Sequence, residues 1–222
     1  MKKIIYGIAI LAMVASCMSS CASRKGKTEE IEAELNDSTK IAMEMEQKRI
    51  EEPEFEMVTS HGTMKIKLYS KTPKHRENFT KLVAEKYYDG MRFHRVIEGF
   101  MIQGGDDSHL PADQQAASIK GEFKSNGYDN PILHKRGVIS MARTSDPDSA
   151  TSQFFITLHD DAKRSLDGKY AAFGYVVKGM SVVDAIAEDL IKAPSSGYMG
   201  FVGDEDAITI VSAKILEGYS PD

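Results

Sequence analysis

Between Glu54 and Tyr219 the chain breaks repeatedly into short β-type runs separated by turn signals, and that repetition limits the fold more than any other feature. Phe55–Thr59, the turn His61-Gly62 and Met64–Tyr69 read as a hairpin with alternating faces. Arg92–Ile97 and Phe100–Gln103 are two more short strands around Glu98-Gly99. Gly137–Ala142, Gln153–Leu158, Phe173–Val177 and Ala207–Leu216 complete the strand set. Only two stretches change to a helical period. Thr72-Pro73 opens the first, with Thr as N-cap and Pro at the first helical position, and Phe79, Leu82, Val83 and Tyr87 recur behind it. Gly179-Met180-Ser181 leads into the second, with Val182, Val183, Ile186, Ala187 and Leu190 on one side. Many short strands with two distant helices predict a mainly β fold, a closed or nearly closed antiparallel β-barrel capped by two α-helices. The 166 residues from Glu54 to Tyr219 suffice for one sizeable core.

What precedes this body has another character. Lys2 and Lys3 form a positive start, and Ile4–Ala15 is an uncharged, mostly apolar run of 12 residues. A transmembrane helix needs about 20 apolar residues, so the run suits the apolar region of a secretory signal. Val14-Ala15-Ser16-Cys17 resembles a bacterial lipobox, in which small residues precede a cysteine that is diacylated after cleavage. Cys21, behind Met18-Ser19-Ser20, is the poorer candidate, and a plain secretory signal with incidental cysteines is the alternative. Residues 28–54 then carry ten acidic groups and three basic ones. Ile31, Leu35, Met45 and Ile50 make a helical stripe too sparse to bury a face, which predicts a partly helical, solvated spacer. The expected organisation is a lipoprotein signal over 1–16, an acidic tether over 17–53 and one domain over 54–222.

Composition removes several function classes. The net charge is −5, so the global basic footprint of a nucleic-acid binder is absent. Both cysteines lie within the first 21 residues, which excludes disulfide scaffolds, Cys-ligated metals and thiol nucleophiles from the body. The six histidines never fall at i, i+4, so a helical zinc pair is missing, and neither a metal nor a cofactor is expected. Gly104-Gly105-Asp106-Asp107 follows a strand and opens no helix, so it reads as a turn. The adjacent carboxylates Asp106/Asp107 and Asp160/Asp161 read as solvated turns rather than an acid–base pair.

One stretch stands out. Strict alternation in Arg92–Ile97 places Phe93, Arg95 and Ile97 on one face and His94 and Val96 on the other. Phe100, Met101 and Gln103 on the next strand, with Gln153, Phe154 and Phe155 on another, supply aromatic, thioether and amide groups. Such a set fits a concave apolar pocket with one cation at its edge, suited to a proline ring beside its peptide backbone. Plain barrel core with a surface arginine is the competing reading. The run Phe93-His94-Arg95-Val96-Ile97-Glu98-Gly99-Phe100-Met101-Ile102-Gln103-Gly104-Gly105-Asp106 resembles the signature of the cyclophilin family of peptidyl-prolyl cis/trans isomerases. Gly137–Ala142, Ser152–Ile156 and Leu166–Tyr170 followed by Phe173-Gly174 come in the family's order, as does Thr72-Pro73 with Glu77-Asn78-Phe79.

The resemblance implies an eight-stranded antiparallel barrel closed by two helices, and rotation about X–Pro bonds as the activity. The barrier of an amide is about 18–20 kcal/mol, and X–Pro bonds interconvert in tens to hundreds of seconds unaided. No nucleophile, metal or proton donor is required. Twisting localises a lone pair on the prolyl nitrogen, and a hydrogen bond made only to that twisted state is differential binding. By resemblance, the donor is Arg95. Phe100, Met101, Phe155 and Leu166 form the proline pocket, Gln103 binds the substrate backbone, Ala142 and Gln153 border the groove, and His94 supports the site from behind. Tyr170 stands where the family often has His, Ser165 where it commonly has Trp, and Arg143 where it often has Asn. The implied partners are proline-containing polypeptides and, through the lipid, a membrane, with no nucleic acid. A monomer in the bacterial envelope, facing the periplasm or the cell surface, follows from these readings. A membrane-tethered binder of proline segments without significant catalysis is the alternative, and Arg95 discriminates against it.

Overall fold

The computed structural model describes residues 37, 39–41, 43, 52–160 and 163–216. The chain divides into two units, Met1–Met45 and Glu46–Asp222. In the first unit the described residues Asp37, Thr39, Lys40, Ile41 and Met43 are helical and exposed. The signal segment, Cys17, Cys21 and most of the tether lie outside the described residues.

Among the described residues, the second unit holds eight strands: β1 (Glu54–Thr59), β2 (Gly62–Leu68), β3 (Arg92–Ile97), β4 (Met101–Gly104), β5 (Val138–Met141), β6 (Phe154–Thr157), β7 (Ala172–Lys178) and β8 (Ile208–Ile215). Helix α1 spans Pro73–Ala84 and α3 spans Met180–Lys192. A single helical turn, α2 (Lys163–Leu166), is an addition to the two helices expected. The strands close into an antiparallel barrel in the order β1-β2-β7-β5-β6-β4-β3-β8. Each predicted strand appears within one or two residues of its expected bounds.

Alternation fills the interior. Phe55 and Met57 of β1, Met64, Ile66 and Leu68 of β2, Ile102 of β4, Ile139 of β5 and Phe154 and Ile156 of β6 belong to one buried cluster. Phe79 of α1 contacts the rings of Phe55, Tyr88, Phe154 and Phe173 at centroid distances of 5.1–5.9 Å. Full burial of one such side chain contributes about 1.5–3 kcal/mol. Val183, Ile186, Ala187 and Leu190 of α3 join the same cluster, so both long helices turn their apolar stripes to the barrel.

The start of α1 departs from expectation. Thr72 occupies the N-cap position, but its side chain makes no capping bond and its hydroxyl is buried without a partner among the described residues. Glu122 caps the helix instead: its carboxylate accepts from the N–H of Lys74 at 3.1 Å and of His75 at 2.9 Å. The same carboxylate accepts from His75 Nδ1 at 2.8 Å, with His75 and Glu122 at 0% and 1% side-chain exposure. Burial alone raises the Glu122 carboxyl, but these hydrogen bonds outweigh it and hold it below the ordinary range.

Candidate active site

Four neighbouring strands bring one row of residues together on the outside of the barrel. Arg95 of β3 pairs with Gln103 of β4, Gln103 with Phe155 of β6, and Phe155 with Ser140 of β5. On β4 and β6 the alternate residues, Ile102, Phe154 and Ile156, point into the core. The outward residues Met101 and Phe155 form a second buried cluster with Leu166, flanked by Ile97, Phe100, Ala142 and Tyr170. Period-two geometry thus gives the same strands an inner core face and an outer site face.

On β3 the strict alternation fails. Phe93 and Val96 both belong to the interior cluster, whereas Arg95 and Ile97 face outward. Phe93 pairs with Gly104 and Arg95 with Gln103, so the register shifts between them. The extra residue is a β-bulge, which re-aims the side chains that follow it. It sends Phe93 inward and Arg95 outward, where alternation alone puts both on one face.

The outer cluster lines a cavity of about 220 Å³ bounded by Arg95, Phe100, Met101, Gln103, Ala142, Arg143, Phe155, Leu166 and Tyr170. Of the ten site residues named from the sequence, eight line it. His94 and Gln153 do not. Gln153 Nε2 donates to Asp106 Oδ1 at 3.0 Å, and Gln153 Oε1 accepts from Gln103 Nε2 at 2.7 Å. Gln103 Oε1 in turn accepts from Arg95 Nη1 at 3.1 Å. This relay fixes the Gln103 amide, with its oxygen toward the guanidinium. Asp106 anchors the relay and Asp107 is buried, accepting from Tyr87 Oη at 2.8 Å and from the Ala116 N–H at 2.9 Å. The pair is therefore structural, not a solvated turn.

Arg95 has further contacts. Its Nε donates to the Met199 carbonyl at 2.9 Å, and its guanidinium carbon lies 4.9 Å from the Phe201 ring centre. Burial lowers its pKa from the ordinary value, yet a guanidinium remains protonated in proteins. The His94 ring stacks on Phe201 at 6.2 Å and 23°. Burial pushes the His94 imidazole down, and the adjacent Arg95 charge adds to that. Met199 and Phe201 lie in the loop after α3 and carried no sequence signal.

The pocket floor rests on a buried polar line. His134 stacks under Phe155 at 6.2 Å and 14°. Its Nδ1 lies 2.9 Å from Asp167 Oδ1 and its Nε2 lies 3.1 Å from Ser140 Oγ. With Nδ1 donating to the carboxylate, Nε2 accepts from the hydroxyl. The order resembles a hydrolase triad, but Ser140 and His134 are fully buried and no acyl group can reach them. Phe155 meets Tyr170 edge-on at 5.8 Å. Arg143 lies 4.5 Å from the Tyr170 ring centre and donates from Nε and Nη2 to the Lys169 carbonyl, so two departures from the family pattern touch each other.

Burial pushes the His134 imidazole down, more than the Asp167 hydrogen bond pulls it up. An imidazole depressed in the folded state contributes stability above the unfolded value of about 6.5, and this is lost as pH falls from there through the folded value. Thermal melts at falling pH should therefore show a declining Tm below about pH 6.5, with a shallower decline in His134→Asn. An unchanged slope in that variant would show that His134 carries none of the effect.

A closed antiparallel barrel with an outward pocket and a guanidinium at its edge is the arrangement that the resemblance implies for a peptidyl-prolyl isomerase. The family model for cyclophilin type peptidyl-prolyl cis-trans isomerases matches residues 54–214. The chain is 48% identical over 149 residues to a peptidyl-prolyl cis-trans isomerase of Acinetobacter baylyi, covering 64% of this chain and 74% of the relative. It is 42% identical to peptidyl-prolyl cis-trans isomerase A of Dickeya dadantii, covering 72% and 83%. A crystal structure of a Cryptosporidium parvum cyclophilin type isomerase superposes with a TM-score of 0.62 at 28% identity, covering 75% of this chain and 98% of that one. The chain belongs to the cyclophilin family of peptidyl-prolyl cis-trans isomerases.

Proposed function

We propose that this isomerase works in the bacterial envelope on X–Pro bonds of exported polypeptides, with Arg95 stabilising the twisted amide. The observation behind the catalytic part is the placement of Arg95 beside a 220 Å³ pocket walled in part by Phe100, Met101, Phe155 and Leu166, tied to Gln103 on one side and Met199 on the other. A proline ring enters between Phe100, Met101, Phe155 and Leu166. The Gln103 amide takes the substrate backbone, and the guanidinium meets the prolyl nitrogen when conjugation breaks. Lowering the barrier by about 5 kcal/mol accelerates the rotation thousands-fold. Rotation about the amide makes and breaks no covalent bond, so this reading calls on no cofactor, and it takes the enzyme as a monomer. A pure binder of proline segments could dispense with a cation held there, while an isomerase could not.

The location rests on the first 21 residues. Cleavage before Cys17 leaves that residue as the N-terminus, carrying a diacylglycerol, and two or more acyl chains give stable attachment. The acidic tether then holds the barrel away from an anionic membrane surface, within whose Debye length of about 8 Å like charges repel. Cys17→Ser should release the protein into the soluble fraction and block signal processing, while Cys21→Ser does neither. Fractionation with an immunoblot reads both effects. The reverse pattern moves the lipid to Cys21, and no effect from either change leaves a plain secretory signal.

A further inference from the structure

We propose that Phe201 is a positioning residue for the isomerisation: its ring holds the Arg95 guanidinium at the mouth of the proline pocket. The inference rests on the reading of Arg95 as the catalytic cation. Phe201 is 50% exposed and outside both buried clusters, so core packing does not account for a large aromatic there. Its backbone is nevertheless tightly fixed. Phe201 pairs with Arg95 in an isolated antiparallel bridge, and the next N–H, of Val202, donates to the His94 carbonyl at 2.9 Å. The Phe201 carbonyl accepts from Gly197 at 2.9 Å, which closes the loop on itself.

Gly200 makes the approach possible. It has φ +76°, and a Cβ at that position would lie 1.7 Å from the Val96 carbonyl oxygen. Only glycine lets the loop lie this close against β3. The pairing brings the Phe201 ring within 4.9 Å of the Arg95 guanidinium carbon, and the His94 ring stacks on the same phenyl group. A guanidinium near an aromatic face within about 6 Å is attracted by the ring quadrupole. An arginine on a long flexible stem otherwise populates many rotamers, and each wrong rotamer removes the donor from the prolyl nitrogen. Gln103 and the Met199 carbonyl fix two edges of the fork, and Phe201 supplies the surface it lies on.

The test uses the full chain and a short X–Pro peptide, with kcat and KM separated. Phe201→Ala should lower kcat roughly five- to tenfold and leave KM within about twofold. Phe201→Tyr, which keeps the ring face, should retain kcat. Phe201→Leu, which keeps apolar bulk without a quadrupole, should fall close to the alanine variant and serves as the readout if Phe201→Ala folds poorly. In an Arg95→Ala background, Phe201→Ala should change the residual rate by less than about twofold. Unchanged kcat in both Phe201→Ala and Phe201→Leu overturns the proposal. So does a rise in KM alone, which makes Phe201 a substrate contact, and so does an equal loss with and without Arg95. Full activity of Arg95→Ala overturns both readings, whereas loss in Arg95→Ala with full activity in the Phe201 variants overturns this one alone.

Discussion

Arg95→Ala is expected to lower kcat/KM for cis-to-trans isomerisation of a short X–Pro peptide by a factor on the order of 100 to 1000. Removing one preorganised donor aimed at charge that develops in the transition state costs about 2.7–4 kcal/mol, which corresponds to that range. The fold should survive, because Arg95 lies on the outer face of β3 and outside the interior cluster. Arg95→Lys should recover little. A point charge cannot reproduce a fork that engages the Gln103 amide from Nη1 and the Met199 carbonyl from Nε. Near-parental turnover in Arg95→Ala, with an unchanged circular dichroism spectrum, would falsify the assigned mechanism.

Glu122→Ala should produce the largest loss of stability from a single polar side chain. The substitution strips the acceptor from two N–H groups at the start of α1 and from the buried His75 ring. Breaking a buried pair by removing one partner costs about 3–5 kcal/mol. For a domain of this size that corresponds to a fall in Tm of roughly 10 °C. Glu122→Gln keeps a carbonyl acceptor and should lose less. Thermal unfolding followed by circular dichroism measures both variants, and a Tm for Glu122→Ala within a degree or two of the parent would show that water replaces the carboxylate.

The strands were legible because their signal is local. An apolar residue at every second position needs no knowledge of its partner strand, and β1, β2, β4 and β6 hold their interior residues where alternation puts them. The pocket residues were legible for another reason. Phe100, Met101, Gln103, Ala142, Phe155, Leu166 and Tyr170 sit in motifs whose order resembles the family, and the fold gathers them around one cavity. Neither source located the bulge in β3. A bulge displaces pairing by one residue, which exchanges the two faces of a strand, and the one-dimensional pattern Phe93-His94-Arg95 reads equally well with or without it.

The same limit explains Glu122 and Phe201. Thr72 carries the local signature of an N-cap, yet the carboxylate that satisfies the helix end arrives from 48 residues away. Sequence rules for helix starts are written for neighbours, while a buried helix end accepts any acceptor that tertiary packing delivers. Phe201 lies in a loop with no periodicity, 106 positions beyond the arginine it faces. His134 gave a single imidazole with no visible partner, and only the fold sets it between Asp167 and Ser140 beneath Phe155.

By itself the sequence determined the fold class and the family. Each rests on information carried by neighbours along the chain: strand period, turn residues and an ordered run of motifs. Tertiary structure decided which way Arg95 faces, what holds it and what caps α1. Those depend on strand register and on contacts between residues far apart in the chain, where a shift of one residue reverses the outcome without changing the pattern that is read.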